Sequence, residues 1–261
     1  MLKTARLALL LSLSLLLPVL LPVPASADQA AAEAAYREGA WELAAYEAQN
    51  LETADGYAFA AGALLAKLMV DVDTEDREAL AERAIDLAEY ALRLDEDNLE
   101  ARLRLAGALG FRGRYMSGWR AYLTRLPQRG RTLLEEVVAR QPDNAWALGM
   151  LGAWHLEVAR RGGSRGLNAL DASVEAGMGY YSQAIAIDPD SPAPRYFEAL
   201  GLAALDEPAY QSRIRELVES ARALEARDAF DAAILAELDE FATYLGDRRA
   251  ASNWADARLE R

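Results

Sequence analysis

Apolar residues recur at spacings of three and four along almost the whole chain beyond residue 27, the rhythm of helices that each bury one stripe. Nowhere does a stretch settle into the strict alternation of a half-buried strand. Alanine and leucine dominate, runs of β-branched residues are absent, and Gly and Pro fall between the periodic segments. The pattern predicts an all-α protein. The first residues follow a different logic. Lys3 and Arg6 precede an almost wholly apolar run over 7–21, Pro22 and Pro24 stop it, and Ala25-Ser26-Ala27 has the small-x-small form cut by signal peptidase. The run is shorter than the ~20 residues that span a bilayer. Residues 1–27 are therefore expected to be a cleaved signal peptide. Asp28 would then open a mature domain over 28–261, located in the periplasm or an equivalent exported space; retention of the segment as an anchor is the alternative.

Within the mature chain three segments align. Asp97-Asn98-Leu99-Glu100-Ala101 is followed by Leu105-Ala106, Leu109 and Gly113. Pro142-Asp143-Asn144-Ala145 is followed by Leu151-Gly152 and His155. Asp188-Pro189-Asp190-Ser191 is followed by Leu200-Gly201 and Ala204. An amphipathic stretch precedes each, over 84–94, 133–140 and 180–187. The phrases, above all Tyr181-Ser182-Gln183-Ala184-Ile185-Ala186-Ile187-Asp188-Pro189-Asp190, resemble the tetratricopeptide repeat (TPR), a helix–turn–helix unit. The small residue at Ala106, Gly152 or Gly201 would let paired helices approach closely, and the Asp, Asn or Ser of each turn would cap the helix after it. Weaker units flank these: 30–38 with 41–48, 57–69 with 75–94, and a terminal pair from about Asp228. The resemblance implies a TPR-like helical-hairpin solenoid of about five units, with a concave face along one side.

Two adjacent units depart from the pattern at the same turn, carrying surplus residues over 113–127 and 159–172. Stacking would project both insertions from one edge. The first also breaks the charge pattern. The chain has 41 acidic and 28 basic residues and a formal charge of −13, which becomes −15 without Lys3 and Arg6. Yet 101–134 holds eight arginines, Arg102, Arg104, Arg112, Arg114, Arg120, Arg125, Arg129 and Arg131, and no acid. Phe111, Tyr115, Trp119 and Tyr122 are spaced to share one helical face. The second insertion adds Arg160, Arg161 and Arg165, and Trp154 lies just before it. Arginine forks suit carboxylates and phosphates, and aromatic faces suit an apolar body or a stacked guanidinium. The candidate binding residues are accordingly Arg112, Arg114, Tyr115, Trp119, Arg120, Trp154, Arg160, Arg161 and Arg165. The competing reading is internal neutralisation by the acidic remainder of the chain.

Candidate chemistry is sparse. There is no cysteine, so disulfides, thiolate nucleophiles and cysteine-based metal sites are excluded, and the single histidine, His155, cannot build a multi-histidine centre. Gly162-Gly163-Ser164-Arg165-Gly166 matches G-x-S-x-G, but a helix rather than a strand precedes it, and a flexible turn is expected. Asp71, Asp73, Glu75 and Glu82 sit at EF-hand ligand positions, but Asp76 stands where glycine is required, and Thr74 reads as a helix cap. His155 is expected to be a buried, hydrogen-bonded residue between paired helices.

The phrase Leu151-Gly152-Ala153-Trp154-His155-Leu156-Glu157-Val158 with its insertion is similar to repeats of the regulator of microtubule dynamics family, themselves TPR-like. The chain also resembles the periplasmic TPR proteins of TRAP-type transporters, which are lipid-anchored through a cysteine that this chain lacks. The expected function is a non-enzymatic binding or scaffold protein that engages a protein or peptide partner, an acidic one included. It needs no cofactor or metal, binds no nucleic acid and has no membrane span after signal cleavage. The alternative is a carrier or transporter accessory holding a small anionic or amphipathic ligand under the insertions.

Overall fold

The computed structural model describes residues 27–71 and 74–260. The expected leader, but for Ala27, lies outside the described residues, as does Asp73. Among the described residues the chain forms thirteen α-helices and no strand: α1 (Ala27–Arg37), α2 (Trp41–Gln49), α3 (Ala54–Val70), α4 (Arg77–Leu94), α5 (Leu99–Arg114), α6 (Gly118–Leu123), α7 (Leu126–Arg140), α8 (Ala145–Leu170), α9 (Val174–Ile187), α10 (Ala193–Ala204), α11 (Gln211–Arg222), α12 (Ala229–Ala242) and α13 (Arg248–Leu259). None is long and apolar enough to cross a membrane.

The turn chemistry explains most of the boundaries. Asn98 and Asn144 accept hydrogen bonds at Oδ1 from the amides of Ala101 and Ala147, at 2.8 and 3.0 Å, and so open α5 and α8. Thr53, Ser173 and Asp228 cap α3, α9 and α12 in the same way. Each such cap satisfies an amide that the first helical turn leaves orphaned. Two turns differ from expectation. Pro192, not Ser191, stands at the N-cap of α10, where its missing N–H costs nothing. Thr74 does not cap α4. That helix starts at Arg77 behind a left-handed Asp76, because the Arg77 guanidinium reaches back to the carbonyls of Leu68 and Asp71 and fixes the loop.

Consecutive helices pack on one another, save that α5 packs on α7 rather than on the short α6, and a second row of contacts runs from α3 to α5, α5 to α8, α8 to α10 and α10 to α12. Close approach in this stack depends on small residues. A Cβ on Gly152 would fall 2.6 Å from the Tyr181 ring, so α8 meets α9 at that point. Gly201 was expected to serve its own hairpin, but its nearest neighbour is Leu156 of α8, in the preceding unit. The row does not stay open. Its last member, α12, also packs on α3 and α1. Phe230 meets the ring of Trp41 at 6.4 Å and that of Trp146 at 5.8 Å, and Gly39 lies against Ala229. Trp41 and Ala66 thereby belong to the same buried cluster as Phe230, Ile234 and Leu238. Through α12 the end of the chain thus returns to its first helices.

The insertions are also more helical than their composition suggested. The second is a continuation of α8, broken by Gly163 at φ 51° and ψ −153°, a conformation open to glycine alone. The G-x-S-x-G match is thus a kink at which one helix ends and another begins, with a helix and no strand before it.

Candidate functional site

The two insertions meet. Arg161, on α8, donates to the carbonyls of Gly113 and Met116, at the end of α5, and so closes the last turn of that helix. Trp154 makes the second link, its indole N–H donating to the Pro127 carbonyl at 2.9 Å. Arg131 lies over the Trp154 ring at 5.1 Å and donates to the Leu170 carbonyl, so the start of α7 is tied to both ends of the second insertion.

His155 sits beneath this junction, 4% exposed and stacked on Tyr180. Its Nδ1 accepts the Ser173 amide at 3.2 Å, a bond that requires an unprotonated Nδ1. Burial, reinforced by the charge of Arg131, holds its pKa below the ordinary histidine value against the opposing Asp171 and Glu135.

The arginines divide into two groups. Arg112 pairs with Glu82 of α4 at 2.9 Å. Arg160, 7% exposed, is gripped by Glu157, Asp256 and Glu260 at 2.6–2.8 Å. Burial works against its charge, but these three carboxylates outweigh burial and hold its pKa above the ordinary value. Arg161 is occupied by carbonyls and lies 3.9 Å from Glu157. Elsewhere in the acid-free stretch, Arg102, Arg104, Arg129 and Arg131 pair with Glu136, Glu100, Glu89 and Glu135. Internal neutralisation therefore accounts for most of the cationic segment. Among the described residues no carboxylate lies within ion-pair distance of Arg114, Arg120, Arg125 or Arg165. Arg114 lies half-buried over the Phe111 ring at 4.3 Å. Burial lowers its pKa, with Glu157 opposing and Arg77 and Arg160 adding to the effect.

The aromatics do not share one face. Helix α5 ends at Arg114, and the chain turns before α6 begins at Gly118. Gly113, Ser117 and Gly118 are weak helix formers, and Ser117 is extended, so the spacing that assumed one helix fails there. Phe111 is buried in the core, while Tyr115 is half-buried with its hydroxyl buried and unpartnered. Trp119 and Tyr122 project outward at 70% and 45% exposure. Trp119 and Trp154 do not converge: one is bound into the fold, the other stands in solvent. Two open hollows lie elsewhere, one along α11 at Ser212, Glu216 and Ser220, the other of about 690 Å³ at the seam of α2, α3 and α12.

Among the described residues no cluster of His, Asp or Glu could hold a metal ion. No protein-family model matches the chain, and no curated protein matches it.

Proposed function

We propose that the protein is an exported, non-enzymatic TPR-like scaffold that binds a protein partner along the edge where its two insertions meet. The observation that carries this reading is the matched Asn-capped opening of α5 and α8, together with the packing of α5 on α8 and of α8 on α10, the order in which repeats would stack. Proteins built this way recognise partner segments, though usually on the concave face. Here α12 packs back on α1 and α3, and the insertion edge is the surface we assign to the partner. Its unpaired arginines Arg114 and Arg165 favour an acidic segment, which they would bind as bidentate forks.

Placing a photo-crosslinking residue at Arg165, in cells, should give one discrete adduct in the exported fraction. Arg114→Gln should abolish that adduct, and a crosslinker at Glu219 on α11 should not yield it. Failure to form any adduct at Arg165, or the same adduct from Glu219, would remove the edge as a partner site. A separate fusion of residues 1–27 to a reporter active only after export should work, and the mature chain should begin at Asp28.

A further inference from the structure

The helix α6 is amphipathic in the wrong direction for a soluble surface. Ala121 is its one buried residue. Trp119, Tyr122 and Leu123 stand at i, i+3 and i+4, a single stripe on the side away from Ala121. They are 70%, 45% and 56% exposed. The helix is held chiefly by α7, so the stripe sits on a protruding knob, not in a groove. Arg120 and Arg125 flank it, both exposed and without an acidic partner among the described residues, and the sequence from Ala101 to Leu134 supplies no acid. The rest of the chain is strongly acidic.

From this arrangement we infer that α6 docks on an anionic lipid surface. Tryptophan and tyrosine prefer the headgroup layer, where an apolar ring and a polar edge are both accommodated, and leucine reaches the acyl boundary beneath it. The two arginines then lie level with the lipid phosphates. A fluid surface closes around a convex knob. A protein partner would instead have to offer a preformed hollow of matching shape. The acidic body is repelled by the same membrane, and screening over about a Debye length leaves that repulsion weak at the tip alone. The contact is therefore orienting as well as attractive: only a tip-first approach is favourable. The inference goes beyond the partner edge and does not depend on it.

The test uses the exported protein, with whatever N-terminus it retains, sedimented with vesicles of phosphatidylcholine alone or of equal parts phosphatidylcholine and phosphatidylglycerol. The expected result is binding to the anionic vesicles that falls with added salt, and weaker binding to the neutral ones. Trp119→Ser should reduce the partition coefficient at least tenfold, as should the pair Arg120→Gln with Arg125→Gln on anionic vesicles only. These residues are exposed, and circular dichroism and melting temperature should not change. Equal binding to both vesicle types, indifferent to Trp119→Ser, would assign attachment to another segment and overturn the proposal. Absence of vesicle binding would overturn it too, as would a Trp119-dependent complex with a protein in the absence of lipid. None of these outcomes touches the crosslink expected at Arg165, so the two readings fail independently.

Discussion

His155 is a residue whose buried position and single hydrogen bond set a direction for pH dependence. Its folded pKa lies below the ordinary value of about 6.5. In the window between the folded and unfolded values the unfolded chain binds more protons, so stability rises with pH there and is lost as the pH falls through it. The melting temperature should therefore drop as the pH falls below about 6.5, before most carboxylates titrate. His155→Gln should flatten that slope, and an unchanged slope would assign it to another group. Glycines give a sharper contrast. Gly152 has no room for a side chain, since even a Cβ would meet the Tyr181 ring and the Gly177 carbonyl. Gly152→Leu should cost about 1–3 kcal/mol or more by overpacking. Gly110, on the same kind of helix, has nothing within 4 Å of a Cβ. Gly110→Ala should be stabilising by about 0.5–1 kcal/mol through helix propensity. Denaturant melts of the two variants, shifted in the same direction, would contradict this division.

At the scale of elements, the helices and most of their starts were legible because the signals are local: a period of three to four, and Asn98, Asn144, Ser173 or Asp228 placed just before it. The breaks were harder to read. Phe111, Tyr115, Trp119 and Tyr122 keep helical spacing through a segment that turns, because spacing carries no information on where the backbone bonds stop. The sequence pattern places the insertions on one edge, but Trp154 and Arg161 bind them together there and Arg160 ties α8 to the C-terminal segment, roles that no sequence spacing reveals. The break in α8 is a separate case, since it needs no close packing. A Cβ on Gly163 would meet nothing within 4 Å, but the residue's φ of 51° is costly for any other side chain. Gly163→Ala should therefore destabilise by roughly 1–3 kcal/mol through backbone strain. Its measured signature is a lower denaturation midpoint with an unchanged denaturant slope.

At the scale of the molecule, the return of α12 to α1 and α3 is the feature least written in any local stretch, because it depends on how small rotations between hairpins add up. Phe230 is buried, with Trp41 and Trp146 against it. Phe230→Ala should cost about 3–5 kcal/mol. Because both ends of the chain share that cluster, unfolding should remain one transition when followed by tryptophan fluorescence and by circular dichroism. Two separated transitions would mean that the halves are energetically independent. The same return has a consequence for the time course of folding. An ordinary array of hairpins can start anywhere and grow by neighbours, but the contact between Trp41 and Phe230 joins residues far apart in sequence, from the second helix to the last hairpin. A chain emerging from its N-terminus must hold Trp41 and Ala66 without their eventual cover until the last helices arrive. The slow step is then a loop closure of nearly two hundred residues, with an entropic barrier that no single hairpin faces.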